Sequence, residues 1–194
     1  MKMAKAVWEE RYQAGRTGWD RGGASPVLSK WLRHASDSER RVLIPGCGRG
    51  HELAELARRG YEITALDFAP SAVAAAREAL AEHPHCVVQE ADLFHWEARE
   101  GTFDAIYEQT CLCALAPDQW REYEHRLFDW LRPEGRLYAL FMQTHAEGGP
   151  PYHCAIEQMR RLFPSARWRW QQEPPLEVHH PMDKVELGLI LTRC

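Results

Sequence analysis

RVLIPGCGRGHELAELARRGYEITALD, residues 41–67, decides how the rest of the chain is read. Arg41 to Ile44 is a short, largely apolar run, as expected of a strand buried on both faces of a parallel sheet. Gly46, Cys47, Gly48, Arg49 and Gly50 follow at once. Glycines there permit a sharp turn and let a ligand approach where a Cβ would clash. Leu53, Leu56 and Ala57 recur at helical spacing, and Gly60 stands where the helix should end. A second strand, Ile63 to Leu66, delivers Asp67 to its carboxyl end, roughly 20 residues past the first glycine and in position for a ribose hydroxyl. The unit asks for a ligand that carries a nucleoside.

The glycine spacing narrows the choice. A dinucleotide fingerprint needs G-x-G-x-x-G, whereas here the glycines fall at 46, 48 and 50, and His51 takes the last glycine's place. That disfavours a nicotinamide-dependent oxidoreductase. No Lys-Ser or Lys-Thr follows, so a phosphate-cradling P-loop is also excluded. The loop resembles that of class I S-adenosylmethionine (SAM)-dependent methyltransferases, whose ligand has no pyrophosphate. The plain alternative is an ordinary strand-to-helix turn.

Composition bounds the classes. With 194 residues the chain suits one α/β domain. The net charge is −4, and no Lys or Arg run forms a stripe, so neither nucleic acid nor an anionic membrane is an expected partner. No apolar run nears the ~20 residues of a membrane span, and MKMAKAVWEERY lacks a signal peptide's apolar region. A cytoplasmic location is expected. The six cysteines are scattered, which suggests buried reduced thiols. Cys111-x-Cys113 has no second ligand pair at zinc spacing, so no metal is expected. Oligomeric state is not legible.

Residues 3–14 read as a helix with Trp8 and Tyr12 one turn apart, stopped by Gly15. Trp19-Asp20, Arg21-Gly22-Gly23 and Ser25-Pro26 follow, with Ser25 as N-cap of a helix through Leu32. The aromatics Trp8, Tyr12 and Trp19 either pin this segment to the domain or form a lid. A lid of aromatic faces would attract a sulfonium and exclude water. Pro70 to Ala81 is a helix, and Cys86 to Val88 a third strand leading to Asp92, Leu93 and Phe94. Asp92 can accept from an exocyclic amine with Leu93 or Phe94 against the ring, or it can simply cap the turn. Phe103 to Glu108 is the fourth strand, and residues 108–113 should face a cleft beyond the strand ends. No Asp/Asn-Pro-Pro-Tyr motif of a nucleic-acid methylase follows it.

Pro117 to Leu131 reads as an amphipathic helix, Arg132 to Gly135 as a turn and Leu137 to Met142 as a fifth strand. The loop His145 to His153 contains Gly148-Gly149-Pro150-Pro151-Tyr152, and a helix Ile156 to Phe163 ends before Pro164. Ala166 to Trp170 and Val185 to Thr192 can pair antiparallel, with Pro174-Pro175 and His179-His180-Pro181 expected in a solvated loop. No His–carboxylate dyad is evident near the cleft.

Trp8, Tyr12, Trp19-Asp20, Ser25-Pro26, Pro45-Gly46-Cys47-Gly48, Asp67, Asp92-Leu93-Phe94, Cys113-Ala114-Leu115 and Gly148-Gly149-Pro150-Pro151-Tyr152 together resemble the thiopurine methyltransferase superfamily. The branch most resembled is that of plant and bacterial thiol, thiocyanate and halide methyltransferases. The resemblance implies a Rossmann-like α/β fold: a seven-stranded, mostly parallel sheet with one antiparallel strand, helices on both faces and an N-terminal aromatic lid helix. It implies that SAM is held by Trp8, Tyr12, Trp19, Gly46, Gly48, Asp67, Phe68, Asp92, Leu93 and Gln109. Tyr12 stands where plant relatives carry tryptophan, and Glu108-Gln109 where they carry Asp-Tyr. Tyr152 corresponds to a tyrosine pointing into the family's acceptor pocket, where its hydroxyl would donate to the acceptor. A soft anion needs no strong base; His145 or His153 is the candidate for deprotonating a neutral thiol. The expected activity is methyl transfer from SAM to a thiol, thiocyanate or halide. Thiopurines, selenium or tellurium oxyanions, or SAM binding without turnover are the alternatives.

Overall fold

A computed structural model describes residues 4–33, 35 and 38–194; Met3, at the start of the expected first helix, lies outside them. Two helices, α1 (Lys5–Gln13) and α2 (Pro26–Leu32), precede a sheet whose first five strands are parallel. These are β1 (Arg41–Pro45), β2 (Glu62–Asp67), β3 (Val87–Glu90), β4 (Phe103–Gln109) and β5 (Leu131–Gln143), ordered β3-β2-β1-β4-β5. The helices α3 (His51–Arg58) and α4 (Pro70–Ala79) link β1 to β2 and β2 to β3, and α5 (Trp120–Trp130) links β4 to β5. After α6 (Ile156–Leu162) come β6 (Trp168–Trp170), β7 (Leu176–His180) and β8 (Lys184–Arg193). The reversed strand is β8, antiparallel to β5 along Arg136–Gln143.

The seventh position in the sheet is divided between two strands. β6 pairs with Leu191–Arg193 of β8, and β7 with Lys184–Gly188, so they lie end to end along one edge. Gln171 spans the break: its N–H donates to Ile190 O at 2.9 Å, and its Oε1 accepts from Ile190 N at 2.7 Å. The expected solvated loop around His179-His180 is therefore corrected to a strand. Leu176, Val178 and His180 alternate with two exposed residues, and His180 is buried. The expected turn at Arg132–Gly135 sits inside β5 as an irregularity, with Glu134 at φ +59° and the register against β4 shifted between Phe103 and Ala105.

One face of the sheet carries α2, α3 and α4. Leu53, Leu56 and Ala57 of α3 and Val73 and Ala76 of α4 pack there on Val42, Ile44, Ile63 and Ala65. On the other face Trp120, Tyr123, Leu127 and Trp130 of α5 cover Leu43, Ile106, Leu137 and Phe141. Each large side chain so buried contributes about 1.5–3 kcal/mol. Gly50, at φ +79°, starts α3 where a Cβ would lie 2.8 Å from Leu53 Cδ1 and 3.1 Å from Ala76 Cα, so the loop depends on glycine to reach α4. Both faces are thus closed, and the open ground is the crest beyond the strands' carboxyl ends. Among the described residues no helix is long and apolar enough to cross a membrane.

Candidate functional site

A cavity of about 360 Å³ occupies that crest. All ten residues expected at the donor site line it: Trp8, Tyr12, Trp19, Gly46, Gly48, Asp67, Phe68, Asp92, Leu93 and Gln109. Four consecutive strand ends and the N-terminal segment bring them together. Cys47 N–H donates to Leu66 O at 2.9 Å, which folds the glycine loop over β2. Gly46 lies at φ +62°, where a Cβ would come 3.0 Å from Cys111 Sγ; a side chain there would also narrow the cavity.

Asp67 is only 9% exposed. Its Oδ2 accepts from Gly48 N at 2.9 Å and its Oδ1 from Ala69 N at 2.9 Å. Burial raises its pKa and these N–H groups oppose the rise. The carboxylate keeps acceptor capacity beyond these bonds, enough for a ribose hydroxyl. Asp92 caps the turn, its Oδ1 accepting from Phe94 N at 2.9 Å and its Oδ2 lying 3.1 Å from His95 Nδ1, and the residue also lines the cavity.

The N-terminal segment lines the cavity with aromatic rings. Trp8 and Trp19 meet edge to face at 5.5 Å, and Tyr12 and Trp19 at 5.7 Å. Their faces already carry cations: Arg11 lies 5.2 Å from the Trp8 ring centre and Arg49 5.7 Å from that of Tyr12. Glu9 fixes α1 to the start of α4 by accepting from Ser71 N at 2.9 Å and Ser71 Oγ at 2.5 Å. Tyr12 is buried, which pushes its phenol upward, and it stays protonated at neutral pH.

The structure corrects the expectation that no His–carboxylate pair stands near the cleft. His51 Nε2 is 2.7 Å from Asp20 Oδ1, Arg49 Nε is 3.0 Å from Asp20 Oδ2, and all three line the cavity. Asp20 also accepts from Gly22 N at 2.8 Å, and these partners outweigh burial and lower its pKa. This cluster ties the segment carrying Trp19 to the nucleotide loop. His145 and His153 stack on each other at 4.9 Å and are not among the lining residues; burial lowers the pKa of His153.

Glu108 turns away from the cavity and is not among its lining residues. It is 1% exposed, and its Oε1 accepts from Cys111 N at 3.1 Å and Leu112 N at 2.7 Å, shaping the loop after β4. Burial raises its pKa to about 7. Gln109 lines the cavity and accepts from Tyr107 Oη at 2.9 Å. Beyond it the wall is mostly apolar: Cys113, Leu115, Met142, Pro150 and Pro151. Tyr152, expected to point into this pocket, is not among the lining residues. Its ring lies under Gly149, where a Cβ would sit 2.6 Å from Tyr152 Cγ, and its N–H donates to Cys113 O at 2.7 Å. Cys111 and Cys113 are buried free thiols, and no group of three metal ligands occurs among the described residues.

The profile of the family described as thiopurine S-methyltransferase matches residues 3–188. Thiocyanate methyltransferase 1 of Brassica oleracea is 31% identical over 153 residues, 77% of this chain and 67% of that one. Thiopurine S-methyltransferase of Vibrio parahaemolyticus is 25% identical over 90% of this chain and 88% of its own. Among solved structures, the 1,6-didemethyltoxoflavin-N1-methyltransferase of Burkholderia thailandensis, with its substrate and S-adenosylhomocysteine bound, superposes with a TM-score of 0.80. At 20% identity over 97% of this chain and 86% of that one, it is similar in fold.

Proposed function

The chain belongs to the thiopurine S-methyltransferase family, a group of SAM-dependent enzymes, and from that premise we propose a small soft nucleophile as its acceptor: a thiol, thiocyanate or halide. The observation that carries this reading is the crest cavity, roofed by Trp8, Tyr12 and Trp19, with Asp67 and Asp92 at the ends of adjacent strands. When bound, SAM supplies an electrophilic methyl carbon that the acceptor's electron pair attacks in line, leaving S-adenosylhomocysteine. The chain's own work is positioning and exclusion of water. Asp67 is proposed to take the ribose hydroxyls and Asp92 the adenine amine, with Phe68 and Leu93 against the nucleoside and Gln109 beside it. Gly46 and Gly48 admit the ligand's chain, and the aromatic roof faces the sulfonium. The apolar wall formed by Leu115, Met142, Pro150 and Pro151 strips the nucleophile of solvent, and it favours a second reading, an aromatic thiol such as a thiopurine.

The whole chain is proposed to work as one domain, with residues 1–40 as its lid segment. Tyr152 is proposed to support the acceptor wall through its ring under Gly149. Tyr152→Phe should then leave kcat/KM unchanged for every accepted thiol, and Tyr152→Ala should lower it. Side-by-side assays of iodide, thiocyanate, hydrogen sulfide, small thiols and 6-mercaptopurine, read as S-adenosylhomocysteine formation, test the acceptor class. Turnover of none of them, with SAM bound, contradicts it.

A further inference from the structure

The cavity wall built by the segments after β4 and β5 holds one polar group that the scheme above does not use. Three lining residues of those segments carry a strong hydrogen-bonding side chain: Gln109, Thr110 and Gln119. The rest of that wall is apolar or carries sulfur. Gln109 is occupied: its Oε1 accepts from Tyr107 Oη at 2.9 Å, and its amide is close enough to Glu186 to lower that acid's pKa. Thr110 Oγ1 donates to Gln109 O at 2.7 Å. Gln119 stands apart from both. Its backbone N–H donates to Ala116 O at 2.8 Å, and it holds the N-cap position of α5. Its half-buried side chain caps nothing and makes no hydrogen bond among the described residues. The flanking acids do not compete for it: Asp118 and Glu122 are outside the lining, and Glu122 is engaged by Arg126 at 3.2 Å. Small-molecule sites are mostly apolar, with a few polar groups that fix orientation and specificity, and an uncommitted amide on such a wall fits that part.

The position agrees with the chemistry. Asp92, Asp67 and the glycine loop follow β3, β2 and β1 in sheet order, and Gln119 lies past β4, on the other side of the glycine loop from the two acids. A carboxamide supplies N–H donors and stays neutral. It favours a partner that arrives already negative, because a hydrogen bond to a charged atom is roughly twice as strong as one between neutral groups. We propose that Gln119 orients the methyl acceptor, an amide N–H donating to the anion so that its reacting electron pair faces the donor methyl. With thiocyanate, the sulfur's pair forms the new bond to the methyl carbon, the pair of the donor's S–CH3 bond returns to the donor sulfur, and no proton has to leave. Gln119 is thereby a specificity-determining residue that selects for anions. This deepens the soft-nucleophile reading above and rests on it.

Steady-state assays of thiocyanate and iodide on the full chain test it, with SAM affinity followed by calorimetry. Gln119→Met, of similar length but without the donor, should lower kcat/KM for both anions about tenfold and leave SAM affinity within about twofold. Gln119→Glu sets a like charge against the acceptor and should cost about 100-fold near pH 8. That deficit, measured as a ratio to the wild type at each pH, should shrink toward about pH 5 as the new carboxyl takes up a proton and becomes a donor. A residue that only shapes the wall would not give such a recovery. Unchanged kcat/KM in Gln119→Met, a matching loss of SAM affinity, or a Gln119→Glu deficit that pH does not relieve overturns the assignment of Gln119. A wild type that binds SAM yet methylates neither anion overturns the anionic reading of the acceptor and this inference with it.

Discussion

At the β2–β3 end of the cavity, Asp67 and Asp92 are satisfied by backbone N–H groups close in sequence, Gly48, Ala69 and Phe94. Elsewhere on the cavity, Arg21 reaches the buried Glu186 of β8 across 165 positions. The first end is assembled by turn and loop geometry within the consecutive units from β1 to the loop after β3. The second exists only when the N-terminal segment and the last strand close on the same cavity. Affinity for the nucleoside should therefore concentrate in a few residues close in sequence, while the Arg21–Glu186 tie depends on the whole chain.

The largest expected break is at the local end. Asp67→Ala removes the ribose acceptor and frees Gly48 N and Ala69 N, so SAM affinity should fall about 1,000-fold by calorimetry. Unchanged affinity would detach Asp67 from the ligand.

The next effect concerns stability beneath the far end. Glu108 has a folded-state pKa of about 7, above its ordinary 4.5, because burial penalises its charge. A raised carboxylate contributes its stability fully below the unfolded pKa and loses it as pH rises through 7. The loss is on the order of 3 kcal/mol, and Glu186, also raised to about 7, adds in the same direction with Arg21 opposing. His180, lowered to about 4 by burial and Arg21, has the opposite sign, its stability returning between pH 4 and 6.5. Glu108→Gln keeps an acceptor for Cys111 N and Leu112 N, so its Tm should fall less than the wild type's as pH rises from about 4.5 to about 7. Parallel curves would contradict the assignment.

Smaller effects sharpen the comparison at the roof. Trp19→Ala should weaken SAM about tenfold and S-adenosylhomocysteine, which has no sulfonium, clearly less. Equal losses would make Trp19 a packing residue. Asp20→Asn should raise the KM for SAM about threefold by loosening the tie to His51 and Arg49, with kcat nearly constant. A fall in kcat alone would place Asp20 in the chemistry instead.

The local end was also the legible one. Gly46, Gly48, Asp67 and Asp92 are written in consecutive strand–turn–helix units, and the structure brings them to one crest. The far end was not. Asp20 and His51 are 31 positions apart with no periodicity to link them, and their pairing follows from how the N-terminal segment crosses α3. β7 was hidden by Pro174-Pro175 and Pro181, because pairing with the long β8 overrides punctuation that otherwise reads as a loop. The alternation Leu176, Val178, His180 was the available signal. Tyr152 is absent from the cavity lining, which Pro150 and Pro151 join, and its ring lies against Gly149.

Intrinsic tryptophan fluorescence titrated with SAM is the most direct test of a donor site under an indole roof. The account predicts a saturable change that Trp8→Phe and Trp19→Phe each diminish, because these two of the chain's eight tryptophans line the cavity. Emission indifferent to SAM, or a response untouched by both substitutions, would contradict it.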